Sequence, residues 1–121
     1  MREIKFRAWA KQEKVMRRVE VLHWRSLRVE LVGFNYSLDL MKDVELMQYT
    51  GLKDKNGKEG YHKDIVRRWD ELYILEWHKN LVGWFLEPIH GGWHGITAID
   101  MSLMCEVVGN IYENPELLEV K

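Results

Sequence analysis

The stretch from Leu46 to Val66 constrains the fold most strongly, because it places a charged loop between two apolar segments. The Asn56-Gly57 dipeptide lies inside that loop, and Asn-Gly is the strongest short-range signal for a β-hairpin, since both residues tolerate positive φ. The residues around the dipeptide are charged and suit a solvent-exposed tip: Lys53, Asp54, Lys55, Lys58 and Glu59. We therefore expect a strand, an exposed turn and the start of a second strand within this stretch.

Alternation of apolar and polar residues predicts strands along most of the chain. The predicted strands cover residues 4–9, 15–24, 27–31, 44–49, 64–68, 72–78, 82–87 and 106–112. In the first of them Ile4, Phe6 and Ala8 share the apolar face. Residues 33–43 are rich in turn formers and are predicted to be a loop. The closely spaced strands from residue 64 to residue 87 form a meander, which is typical of a small barrel. The fold class is therefore predicted to be mainly β.

Two segments favour helix. Residues 96–104 have apolar side chains at helical spacing, although the polar residues Asp100 and Ser102 make the segment ambiguous. Asn114-Pro115-Glu116 combines an N-cap residue, a proline at the first helical position and an acid in the first turn, which predicts a short C-terminal helix.

Length and composition predict one soluble, cytoplasmic domain spanning residues 1–121. The net charge of −1 argues against a bulk polyanion binder, although local basic clusters remain. Cys105 is the single cysteine, so no internal disulfide can form, and its position in a strand favours a small buried apolar side chain. No apolar run approaches the roughly 20 residues that span a bilayer, so no membrane association is expected.

Three blocks of sequence stand out together. They are R-E-I-K-F-R-A-W at Arg2–Trp9, L-M-Q-Y-T-G-L-K-D-K-N-G-K-E at Leu46–Glu59 with Asp64-Ile65-Val66 after it, and V-G-N-I-Y-E-N-P-E-L-L at Val108–Leu118. Together these blocks resemble the YopX family of phage and prophage proteins. The blocks span both ends and the centre of the chain. The resemblance implies a small, mostly β protein with an SH3-like barrel, here at about residues 60–112, additional N-terminal strands, and an origin in a phage or prophage. It implies no established activity.

One position departs from the family pattern. The family typically has glycine immediately before the Asp-Ile-Val run, and this chain has Lys63 there. If the backbone at this position has positive φ, lysine is strained where glycine would not be.

Aromatic and basic side chains of the predicted meander and the following loop form the candidate binding surface. They are Arg67, Arg68, Trp69, Tyr73, Trp77, Trp84 and Trp93. Small barrels with exposed rings can stack single-stranded bases, and SH3-like grooves can bind proline-rich peptides. Alternatively, these rings belong to the core or to an oligomer interface. A host or phage protein and nucleic acid are thus both expected partner classes. The abundance of Trp and Met also predicts a homo-oligomer, because interfaces are enriched in both residue types.

His90 and His94 are weak candidates for metal ligands, because imidazole binds zinc. A glycine-rich loop would not hold them in fixed geometry, and no evident base accompanies them. Neither a nucleophile elbow nor a phosphate-binding glycine loop is present. We therefore predict a non-enzymatic interaction module that has no metal or cofactor, with a nucleic-acid-binding domain and a metal-dependent enzyme as alternatives.

Overall fold

The computed structural model describes residues 4–90 and 96–119. The chain divides into two compact units, the first ending at Gln48 and the second beginning at Tyr49. Strands dominate both units, and the α-helix found in the described part is a single turn. The protein is therefore mainly β, as the alternation predicted. None of the described helices is long and apolar enough to span a membrane.

Antiparallel strands form the sheet of the first unit, in the order β4-β3-β2-β1-β5. Their bounds are β1 (Phe6–Ala10), β2 (Val15–His23), β3 (Arg28–Leu31), β4 (Leu38–Asp39) and β5 (Val44–Lys53), of which the part up to Gln48 belongs to this unit. The segment predicted as a loop, residues 33–43, contains β4. A strand of two residues is too short to show alternation, so the sequence pattern could not reveal it.

One face of this sheet builds the core of the first unit. Ala8 and Ala10 are fully buried, whereas Phe6 is half-buried and Ile4 is exposed. The apolar face of β1 therefore consists of Phe6, Ala8 and Ala10, and not of Ile4, Phe6 and Ala8 as expected. The reason is that the ladder to β5 begins only at Phe6. Larger side chains from the neighbouring strands and loop complete the core: Val29, Leu31, Leu38, Leu40 and Val44.

The second unit contains a five-stranded antiparallel sheet in the order β10-β9-β8-β7-β11. Its strands are β7 (Asp64–Arg68), β8 (Glu71–His78), β9 (Gly83–Pro88), β10 (Ile96–Thr97) and β11 (Cys105–Asn110). In addition, β6 (Glu59–Tyr61) pairs with the second part of β5. The helix α1 (Met101–Met104) leads into β11, and a 3-10 helix (Pro115–Leu118) follows it.

The core of this unit lies against the five-stranded sheet. It consists of Val66, Tyr73, Leu75, Leu86, Ala98, Met101, Cys105 and Val107. Fully burying one such aliphatic side chain contributes about 1.5–3 kcal/mol, so these residues dominate the stability of the unit. The sheet itself is open in the described part of the chain, since β10 and β11 are its edges and no ladder joins them. An SH3-like barrel therefore stays a prediction.

The two helical predictions are partly right. Residues 96–104 contain both β10 and α1, so strand and helix share the ambiguous segment. The C-terminal helix is a 3-10 helix that begins at Pro115, as expected for proline. Asn114 does not cap it through its side chain. Instead, its Oδ1 accepts a hydrogen bond from the backbone N–H of Asn110, at 3.1 Å.

The predicted hairpin connects β5 to β6 through residues 54–58. Of the Asn56-Gly57 pair only Gly57 has positive φ, at 81°, so the turn is not the two-residue type that Asn-Gly most often forms. The strand also runs to Lys53 rather than stopping at Tyr49, with a bulge between these residues. Gly51, at φ 85°, lies in that bulge.

Candidate interaction site

The aromatic residues predicted to form one surface lie at opposite ends of β8. Trp69 is in the turn before this strand and Trp77 is near its end. Glu71 and Trp77 are separated by about 20 Å, since a strand rises roughly 3.3 Å per residue. Tyr73 lies between them, and its ring is buried in the core. The structure therefore separates Trp69 from Trp77 along β8. It brings Arg68 to Trp69 at one end and Trp84 to Trp77 at the other.

Arg67 and Arg68 have different roles at the first end. Arg67 forms an exposed ion pair with Glu106 on β11, at 2.8 Å. The guanidinium of Arg68 lies over the ring of Trp69, 4.4 Å from its centroid. The Trp69 side chain is 73% exposed, which is unusual for so large an apolar group.

A small pocket opens beside Arg68. It has a volume of about 160 Å³ and lies between α1, β9, β10 and β11. We call it the anchor pocket; it is lined by Arg68, Leu86, Ile96, Thr97, Asp100, Met101, Met104 and Cys105. Its floor is apolar, because Leu86, Met101 and Cys105 are buried core residues. Burial raises the pKa of the Cys105 thiol, so the thiol is a neutral part of this floor at physiological pH.

Exposed apolar side chains surround the anchor pocket. Arg68 pairs with Cys105 in the β7–β11 ladder, and the exposed residues Trp69 and Met104 directly adjoin these two partners in the sequence. Ile99, just before α1, and Leu103, within α1, are also exposed. Contiguous exposed apolar surface on a folded protein commonly marks an interaction site.

Local hydrogen bonds explain why α1 stands at this position. Ala98 donates its N–H to the carbonyl of Trp84 on β9, at 3.0 Å, and accepts the N–H of Met101 at the same distance. The chain is thus tied to the sheet just before the helical turn. Met101 then enters the core while Leu103 remains 75% exposed.

A second cluster lies at the far end of β8. The rings of Trp77 and Trp84 are cross-strand partners with centroids 5.3 Å apart, and the His62 ring lies 5.6 Å from that of Trp84. Glu76 contacts both His62 Nε2, at 2.7 Å, and Lys63 Nζ, at 2.8 Å. The hydrogen bond to His62 lowers the pKa of Glu76, against burial, and Lys63 lowers it further.

The contact between Glu76 and Lys63 was not predicted from the sequence. The register of the β7–β8 hairpin would have indicated this contact. The ladder that pairs Ile65 with Ile74 continues to place Lys63 opposite Glu76. Asp64, at the start of β7, is buried and accepts the N–H of Tyr61 at 2.7 Å, which gives it a structural role.

Asp54 also differs from its expected position at a solvated loop tip. It is only 3% exposed, and its carboxylate accepts hydrogen bonds from the backbone N–H groups of Asn56, Lys58 and Val107. The other four charged residues flanking Asn56-Gly57 are half-buried or exposed.

The predicted metal ligands are only partly within the described structure. His90 is exposed, while His94 and Trp93 lie outside the described residues. Over residues 4–90 and 96–119, no group of three or more His, Cys, Asp or Glu side chains is arranged to hold a metal ion.

A solved structure resembles this chain along its length. Protein EF1440 from Enterococcus faecalis is 25% identical, with a TM-score of 0.71, and the match covers 98% of this chain and 100% of the other. No curated protein matches the chain. The family model described as YopX protein matches residues 5–119, nearly the whole sequence. The chain therefore belongs to the YopX family.

Proposed function

We propose that this protein is a non-enzymatic interaction module that binds a protein segment through the anchor pocket. The observation that carries this proposal is the size of the pocket, about 160 Å³, together with the exposed apolar residues at its mouth. Sites for drug-sized ligands and cofactors usually measure about 300–1,000 Å³. A cavity of roughly 150 Å³ holds a group as large as benzene, so the anchor pocket is suited to a single apolar side chain.

The charge distribution favours a protein partner over a nucleic acid at this site. Residues 49–119 contain twelve acidic and seven basic side chains, so the unit that carries the pocket has a net negative charge. Polyanions are repelled by such a unit, whereas an apolar anchor with neutral or mixed-charge neighbours is not.

We further propose that the five-stranded sheet is an SH3-like domain and that the protein comes from a phage or prophage and works in the host cytoplasm. The strand order β10-β9-β8-β7-β11, with a short helix immediately before the last strand, supports the first of these proposals. The YopX family supports the second.

Selection from a random-peptide display library tests the binding proposal. We expect enriched peptides to share one bulky apolar residue and to bind Met104→Lys at least about tenfold more weakly, because that change puts a charge at the pocket rim. Met41→Lys is the matched control, since Met41 is an exposed methionine of the first unit. Failure to enrich any sequence, or equal binding to Met104→Lys, would contradict the proposal.

Single-stranded nucleic acid is the second candidate ligand. It is favoured by the exposed Trp69 ring with Arg68 beside it, since bases stack on aromatic rings and arginine adds a favourable charge. Fluorescence anisotropy of a labelled oligonucleotide tests it. Binding that weakens steeply with salt and is lost in Trp69→Ala would establish this role, and unchanged anisotropy at low salt would remove it.

A further inference from the structure

We infer that the anchor pocket is occupied by a second copy of this chain, in a two-fold dimer where Leu103 of each copy enters the pocket of the other. This inference rests on the proposed function and names the partner of the same site. It begins from Leu103, an apolar side chain that is 75% exposed and does not line the pocket of its own copy.

Leu103 and the anchor pocket are close together on the same surface patch. In α1, Leu103 directly precedes Met104 and follows Met101 by two residues, and both methionine residues line the pocket. A two-fold contact brings the same patch of both copies together, so it requires a patch that complements itself. A protrusion within one helical turn of a cavity meets this requirement, because rotation by the two-fold axis places each protrusion over the other cavity.

The volumes agree with this arrangement. The pocket, at about 160 Å³, has room for one aliphatic side chain, and Leu103 is the most exposed apolar residue beside it. Shape complementarity of this kind supplies the central anchor of an interface, while less buried apolar contacts around it exclude water. Trp69, Ile99 and Met104 are exposed around the pocket and would form that surrounding layer.

The charges of the pocket are also self-complementary. Its lining includes one cation, Arg68, and one anion, Asp100. In the proposed dimer, the surface of each copy that carries Arg68 faces the surface of the other copy that carries Asp100. Opposite charges placed in this way set the register of two surfaces and suppress other orientations.

Light scattering coupled to gel filtration, across a wide range of protein concentration, tests the dimer. We expect the wild type to approach the mass of two chains as concentration rises. Leu103→Asp should stay monomeric or dimerise at least tenfold more weakly. Leu81→Asp is the matched control, because Leu81 is an exposed leucine of the same unit in the β8–β9 turn, and it should dimerise like the wild type.

A charge exchange tests the predicted orientation. Arg68→Asp and Asp100→Arg should each weaken dimerisation, and the double variant should recover at least part of it. Leu103→Ser repeats the first test without adding a charge, should Leu103→Asp disturb the fold.

The outcomes separate the dimer from the binding proposal. A wild type that remains monomeric, together with display peptides that still depend on Met104, overturns the dimer and leaves the interaction module in place. A dimer that is unaffected by either Leu103 variant overturns the inference, since another surface must then form it. A wild-type protein that neither dimerises nor binds any display peptide overturns both proposals.

Discussion

The carboxylate of Asp54 accepts a hydrogen bond from the backbone N–H of Val107, at 2.8 Å, across 53 residues of sequence. Its other oxygen accepts the N–H groups of Asn56 and Lys58 in the β5–β6 turn, each at 2.9 Å. One side chain therefore shapes a hairpin turn and fastens it to strand β11. Lys55 adds a backbone bond from its N–H to the carbonyl of Cys105, at 2.9 Å. The hairpin thus covers one edge of the sheet.

Replacing Asp54 by Asn should destabilise the protein by about 1–3 kcal/mol, because an amide offers one acceptor oxygen and leaves a buried N–H without a partner. Urea unfolding at neutral pH measures the loss. Asp70→Asn is the matched control, since Asp70 is exposed in the β7–β8 turn, and it should change the free energy of unfolding by less than about 0.5 kcal/mol.

The stabilisation by Asp54 should also depend on pH. Burial alone would raise the pKa of Asp54, but the hydrogen bonds from Val107, Lys58 and Asn56 lower it overall from the usual 3.8. Because the folded pKa is below the unfolded one, the contribution is complete above the unfolded pKa and is lost as pH falls through the folded pKa. The difference in unfolding free energy between wild type and Asp54→Asn should therefore shrink below about pH 4. A difference that stays constant would show that the carboxylate charge is not responsible.

Lys63→Gly should be more stable than Lys63→Ala by about 1 kcal/mol, because Lys63 has a φ of 74° and only glycine adopts this conformation without strain. Both variants lose the ion pair with Glu76, so their difference isolates the backbone. Thermal or urea unfolding measures it. The same pair of substitutions at Lys79, whose φ is outside the left-handed region, should not favour glycine. An alanine variant at position 63 that equals the glycine variant would contradict this explanation.

Gly109→Ala should destabilise the protein by about 1–2 kcal/mol, since it disrupts a partly buried hydrogen bond. A Cβ at Gly109 would lie 2.3 Å from Oδ1 of Asn114, the atom that accepts the N–H of Asn110. In an Asn114→Ala background the same change should cost much less, because the obstructing amide is gone. A double-mutant cycle of unfolding free energies measures this coupling. Additive effects would mean that Gly109 is needed for another reason.

Cys105 should react with thiol reagents only when the protein unfolds. It is buried at the start of β11, and burial raises the pKa of its thiol, so little thiolate is present or accessible. Labelling followed by mass spectrometry at mildly alkaline pH should therefore proceed at the rate of opening, and rapidly in urea. Rapid labelling of the folded protein would show that reagents reach the thiol through the pocket without unfolding.

The meander shows how much the sequence pattern could predict. The bounds of β7 match the prediction, and those of β8 and β9 differ by one residue, because alternation reports directly which side chains face the core. Alternation along β8 puts Tyr73, Leu75 and Trp77 on one face of the strand. The pattern could not show that Trp77 is 45% exposed while the other two are buried, since this depends on which elements cover the end of the strand.

The sequence by itself determined the mainly β fold, the hairpin around Gly57 and membership of the YopX family. Each of these depends on local periodicity, on the φ preference of one residue or on a run of adjacent residues. Only the tertiary structure decided that Asp54 is buried against Val107 and that Arg68, Leu86 and Met104 line one pocket. Such contacts join residues far apart in the chain, and no pattern of neighbouring residues encodes the distance between them.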